Sequence, residues 1–187
     1  MKPILIASWL LLSSVDLYAQ TPASPTLPVD TETKRVTYTA VVAVNGASQT
    51  ELYTRAKLWL FLTFDDAKDV VKVDEKDAGL LIIRAYTDLP VRSSQTDFGP
   101  INREVGYTMM LNFKDGRYKY TLTNYHLIVE GRITPIENEI TALLSKPKGK
   151  GVFAAQQYAE KVGIYAQSLV QSLDVTLRKP VSGENDW

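Results

Sequence analysis

Cysteine is absent from the chain, and histidine occurs once, at His126. The first absence excludes disulfides, thiolate metal sites, a cysteine nucleophile and an acylated cysteine anchor. The second excludes any metal site built from several histidines. Neither sign of charge is in excess, since 21 Lys and Arg balance 21 Asp and Glu. A neutral chain lacks the electrostatic term that dominates affinity for nucleic acid, so no nucleic-acid partner is expected. Nor does any apolar run reach the roughly 18 residues of a membrane span, and no transmembrane segment is expected in the mature protein. Without disulfides, the fold must rest on its own core.

What is present begins with an export signal. Met1-Lys2-Pro3 forms a short basic start, Ile4 to Leu12 an apolar run, and Leu17-Tyr18-Ala19 ends on a small residue suited to cleavage. Residues 1–19 are therefore expected to be a signal peptide, with export to the periplasm or the medium. The prolines of Thr21-Pro22-Ala23-Ser24-Pro25-Thr26-Leu27-Pro28 forbid a helix. Residues 20–33 read as a Pro-rich flexible segment. About 165 residues remain after cleavage, enough for one domain with a sizeable core. That domain is placed at 34–178, with a disordered tail over 179–187.

Along the domain, Lys34 to Val44 is rich in β-branched residues and ends at the turn signal Asn45-Gly46, which predicts a strand. Ser48-Gln49-Thr50-Glu51 is a capping box opening a helix from Gln49 to Phe64, with Leu52, Ala56, Trp59 and Leu60 at helical spacing. Asp69–Val73 and Leu80–Tyr86 read as strands, and Thr87–Arg103 as a long irregular loop. Val105, Tyr107, Met109, Leu111 and Phe113 alternate with polar residues up to Asp115-Gly116, read as a type I′ turn. Tyr118, Tyr120 and Leu122 then alternate on the way back. The turn pairs Phe113 with Tyr118, Leu111 with Tyr120 and Met109 with Leu122, so both strands agree on one greasy face. Thr134-Pro135-Ile136-Glu137 is a second capping box opening a short helix to Leu144. Lys146-Pro147-Lys148-Gly149-Lys150-Gly151 breaks that helix, and a last one runs from Val152 to Val175.

The expected fold is α+β: a curved antiparallel sheet of about five strands, in the order β-α-β-β-β-β-α, with helices packed on one face. Two stretches carry a family resemblance, Val42-Ala43-Val44-Asn45-Gly46-Ala47-Ser48 running into Glu51-Leu52-Tyr53-Thr54-Arg55-Ala56-Lys57-Leu58-Trp59, and the hairpin Phe113-Lys114-Asp115-Gly116-Arg117-Tyr118-Lys119-Tyr120. Over residues 36–125 the sequence resembles the domain of unknown function 4468, found in exported proteins of Gram-negative bacteria. The resemblance implies a TBP-like sheet, as in the repeat unit of TATA-box-binding protein. It implies no catalytic residues, and a fold by itself implies no function.

No catalytic set emerges from the residues. His126, placed at the end of the second hairpin strand, has no nucleophile signature beside it. Asp65, Asp66 and Asp69, and separately Asp74, Glu75 and Asp77, lack the spacing of a calcium loop and read as solvated acids. Lys146–Gly151 lacks the pattern of a phosphate loop. Trp59, Tyr107, Tyr118, Tyr120, Tyr158 and Tyr165 read as core. No catalytic, cofactor or metal residues are assigned, and no cofactor is expected. What remains is the helix-free face of the sheet, with Arg84, Tyr86, Thr108, Met110, Asn112, Lys119 and Thr121, as a surface for a protein, peptide or glycan of the cell envelope. The function expected is an exported, non-enzymatic binding or accessory domain. The alternatives are a hydrolase acting on envelope material and a structural subunit of a larger envelope assembly.

Overall fold

A computed structural model describes residues 27–96 and 98–179. The expected signal peptide, the start of the Pro-rich segment and the tail beyond Lys179 lie outside the described residues. The elements follow as β1 (Tyr38–Ala43), α1 (Gln49–Thr63), α2 (Ala67–Val70), β2 (Val71–Glu75), β3 (Leu80–Val91), β4 (Ile101–Lys114), β5 (Arg117–Val129), β6 (Arg132–Pro135), α3 (Ile136–Leu144) and α4 (Val152–Arg178). The sheet is antiparallel in the order β1-β5-β4-β3-β2. It has six strands rather than about five: β6 pairs Val129 to His126 of β5, end to end with β1, which pairs Arg117 to Leu122 of the same strand. The chain passes from β1 at one side of the sheet to β2 at the other through α1.

The central hairpin has the register its alternation demands, Phe113 opposite Tyr118, Leu111 opposite Tyr120 and Met109 opposite Leu122. Its turn differs from expectation. A type I′ turn needs positive φ at both central residues, and only Gly116 has it, at 72°. Tertiary contacts set the turn instead: Asp115 Oδ1 accepts from Gln49 N–H at 2.8 Å, and Gly116 N–H donates to Ala47 O at 2.8 Å. The long loop is also corrected. β3 and β4 remain paired from Thr87 opposite Val105 out to Val91 opposite Ile101, leaving residues 92–100 between them. Pro90 fits because β2 pairs β3 only as far as Ile83, so no described strand pairs the far side of β3 there and no ladder donor is lost among the described residues.

The first capping box forms as expected, with Ser48 N–H donating to Glu51 Oε2 at 2.7 Å and Glu51 N–H donating to Ser48 Oγ. The second does not. β6 runs through Thr134 to Pro135, α3 starts at Ile136 without a side-chain cap, and Glu137 instead accepts from Val36 N–H at 2.6 Å. The strand expected over Asp69–Val73 opens as the one-turn helix α2 and becomes β2 at Val71, because the Asp66 carboxylate caps that turn through Asp69 N–H.

Helices α1 and α4 pack against each other and cover one face of the sheet. Between them lie Leu81, Ile83 and Ala85 of β3, the Val105–Phe113 stripe of β4, and Tyr118, Leu122, Tyr125 and Leu127 of β5. Trp59, Tyr107, Tyr118 and Tyr158 are buried as expected, while Tyr120 and Tyr165 are half-buried. The buried phenols are tied across layers: Tyr107 OH to Tyr165 OH at 2.8 Å, and Tyr118 OH donating to Asp174 Oδ1 at 3.0 Å. Burial pushes the Tyr107, Tyr118 and Tyr125 phenols well above their ordinary pKa of 10.0. Arg55, 6 % exposed, donates Nη1 to Leu177 O at 2.9 Å and so meets the carbonyl end of α4.

Candidate functional site

The other face of the sheet carries no helix among the described residues, and its side chains line up in rows across the strands. One row is Val41, Lys119, Asn112 and Leu80; the next Thr39, Thr121, Met110 and Ile82. Thr123, Thr108 and Arg84 follow, and then Pro135, His126, Gly106 and Tyr86. The seven residues singled out in the sequence are therefore brought together on one surface. Tyr86 is 58 % exposed and Met110 37 %; Arg84 and Lys119 are exposed, and Thr108, Asn112 and Thr121 half-buried.

Strand β1 and the residue before it add what the sequence did not disclose. Thr39 Oγ1 lies 3.1 Å from Thr121 Oγ1 and donates to Tyr120 O at 2.8 Å, and Thr37 Oγ1 lies 3.0 Å from Thr123 Oγ1. Four threonines thus form a hydroxyl ladder beside Met110 and Thr108. The only available signal was two Thr-x-Thr spacings, 37/39 and 121/123, and nothing local says that they meet. Arg35 Nη1 donates to Asn124 Oδ1 at 3.0 Å at the ladder's end.

A bulge shifts the pairing of β4 and β5 between Gly106 and Thr108. Asn124 supplies the extra residue, at φ 57°. The shift turns Tyr125 and Leu127 into the core and His126 onto the open face. His126 thus lies three residues from the end of β5, half-buried and paired on both sides, with Gly106 and Pro135. Its ring meets Tyr86 edge to face, centroids 6.2 Å apart at 88°. Both rings lie over Gly106, where an added Cβ would come 2.3 Å from His126 Nε2 and 2.9 Å from Tyr86 Cε1. His126 Nδ1 sits 2.9 Å from Asn124 O, and since a carbonyl only accepts, Nδ1 carries the proton. Its hydrogen-bond partner is thus a backbone carbonyl rather than an orienting carboxylate.

The acids do not gather into a site. Asp66 caps α2, and Asp74 is not simply solvated, because its carboxylate takes Tyr53 OH and the Lys57 ammonium and ties β2 to α1. Among the described residues no group of three or more His, Cys, Asp and Glu side chains stands close enough to hold a metal ion. The basic segment Lys146–Gly151 is a 3₁₀ turn at Pro147–Gly149 leading into α4. Among the described residues no helix is long and apolar enough to cross a membrane.

Comparison with known proteins places this geometry. Residues 38–127 match the family described as "Domain of unknown function (DUF4468) with TBP-like fold". A crystal structure of a DUF4468 family protein from Bacteroides ovatus is similar with TM-score 0.65 at 15 % identity, covering 87 % of this chain and 95 % of that one. A crystal structure of a TBP-like protein from Parabacteroides distasonis is similar with TM-score 0.62 at 12 % identity, covering 82 % and 98 %. At such identities the likeness establishes the fold alone. No curated protein matches the chain.

Proposed function

With residues 38–127 carrying a DUF4468 domain of TBP-like fold, we propose that the chain is an exported, non-enzymatic binding domain of the cell envelope whose helix-free sheet face is its binding surface. The observation that carries this reading is the composition of the face. Threonine hydroxyls, the Tyr86–His126 ring pair, the Met110 side chain and the Arg84 and Lys119 cations stand in register on a rigid sheet. Such a mixture offers apolar contact and adaptable hydrogen bonding without ordering any loop, so little entropy is lost when a partner docks. The leader Met1–Ala19 supports export.

The test joins location to surface. Cell fractionation should recover the protein outside the cytoplasm, shortened at its N-terminus. Envelope material captured by the wild-type protein should be lost with Tyr86→Ala and Met110→Glu, and retained with Ser168→Lys on the exposed side of α4. Equal capture by all four proteins sinks the assignment of the face.

A structural subunit is the second reading. Its support is Leu58, Phe61 and Leu62 of α1, which lie at helical spacing with exposures of 43, 74 and 68 %, on the side of the helix away from Trp59 and Leu60.

A further inference from the structure

We propose that the outer edge of β1 takes up an extended, acidic segment of a partner polypeptide as an added strand of the sheet. The inference deepens the reading above, because it gives the partner's chemistry, and it rests on that reading.

Among the described residues the edge is unpaired along β1 itself, while just before it Thr37 N–H donates to Pro28 O at 2.8 Å. β1 ends the strand order, and Val44 N–H already donates to Gly116 O at 2.8 Å. By the two-residue alternation of an antiparallel ladder, Val42, Ala40 and Tyr38 direct their backbone groups to β5, and Thr39, Val41 and Ala43 direct theirs outward. No described residue bonds those outward groups. The two sheet edges also differ in their defences. β2 carries Lys72, Asp74 and Glu75 and a register shift between Val71 and Val73, features that discourage edge pairing. β1 reads Tyr-Thr-Ala-Val-Val-Ala, with no charge, no proline and no bulge.

Side chains of an added strand would alternate between two clefts that flank the edge. On the helix side lies a groove of about 640 Å³ beside Tyr38, Val42, Tyr118 and Val170. On the open side lies a cleft of about 440 Å³ beside Val41, Lys114, Arg117 and Lys119. The three cations are exposed, and none forms an ion pair among the described residues. Lys114 stands directly opposite Arg117 in the hairpin, a like-charge pair that is unfavourable on its own. The neighbouring carboxylate of Asp115 is held by Gln49 N–H. An added strand lies two strand spacings from β5, about 10 Å, which the Arg117 or Lys119 side chain and an incoming carboxylate span together, while Lys114 of β4 stands one strand further off. A second copy of β1 would bring no acid to these cations. An anionic polysaccharide would satisfy the cations and leave the edge amides unpaired. An acidic extended peptide satisfies both.

The probe is a fluorescently labelled, end-blocked peptide of alternating glutamate and valine, and the readout is anisotropy with purified protein at several salt concentrations. Binding is expected, weakened about tenfold when alternate peptide amides are N-methylated on the pairing side. Val41→Pro should weaken it similarly, since the lost N–H points outward and the β5 ladder is untouched; a circular dichroism spectrum like that of the wild type shows that the fold remains. Arg117→Glu with Lys119→Glu should do the same and flatten the salt dependence. Absent binding, or binding indifferent to N-methylation and to the charge reversals, overturns the proposal. So does a dimer by sedimentation that Val41→Pro abolishes. Where these fail but Tyr86→Ala and Met110→Glu still abolish capture, the face stands as the binding surface and the edge does not.

Discussion

At Gly106 the missing side chain has a purpose that the residue's conformation does not show. The strand needs no special φ there; the space above its Cα is filled by the rings of His126 and Tyr86 from the two neighbouring strands. Alanine would drive a methyl into both rings. Since the atoms it meets belong to side chains, the rings should turn aside while the backbone holds. Gly106→Ala is therefore expected to cost about 1–3 kcal/mol by overpacking, read by denaturant unfolding. His126 ring resonances should shift while the Met109–Leu122 region keeps its amide protection; unchanged ring resonances would refute the packing described. The outward side of Met110 was legible in the sequence because alternation about the hairpin fixes which side each of its residues takes, whereas Arg84 and Tyr86 lie on β3, whose side is set by its register with β4. The ring pair was not, because the extra residue Asn124 breaks that alternation just before His126.

Among the elements, α1 was the clearest to read and its cap is the most testable. Hydrogen bonds from the Ser48 backbone and hydroxyl hold the Glu51 carboxyl below its usual 4.5. A folded-state pKa that is depressed contributes stability above the unfolded value, and that contribution is lost as pH falls below about 4.5. Ser48→Ala should cost about 1 kcal/mol at neutral pH, and the gap between variant and wild type should narrow as the solution is acidified. Urea midpoints measured across that range check it, and a gap independent of pH would contradict the mechanism. The start of α3 shows why the same motif misleads elsewhere. Thr134 to Glu137 has the spacing of a cap, but Val36 N–H lies 2.6 Å from the Glu137 carboxylate and takes it instead. Local pattern names the groups able to bond, and tertiary proximity decides which of them do. The segment Thr87–Arg103 illustrates the same limit, since Pro90 and Pro100 advertise a loop while cross-strand pairing carries β3 on to Val91.

For the molecule as a whole, the buried phenols set an alkaline limit. Tyr107, Tyr118 and Tyr125 are held neutral by burial, so their folded pKa values stand above the unfolded 10.0. A raised folded value means that the stability is fully present below pH 10.0 and declines above it, as the unfolded chain releases protons the folded one retains. Base-induced unfolding should therefore begin just above pH 10, with these phenols ionising in step with the loss of near-ultraviolet dichroism; their ionisation within the intact fold would refute it. The layer arrangement, helices on one face and none among the described residues on the other, was readable because each amphipathic element has only one way to hide its stripe. The β1–β5 pairing was not readable, since it joins Tyr38 to Leu122 with two helices and three other strands between them in the chain. That pairing also bears on time. Strands β3, β4 and β5 each meet a neighbour already at hand, but β1 waits until Arg117 to Leu122 have emerged before it has anything to zip onto, and long-range closure of this kind is slow. Under the export proposed above, a chain threaded from its N-terminus would carry β1 across unpaired and keep it so until Leu122 had followed.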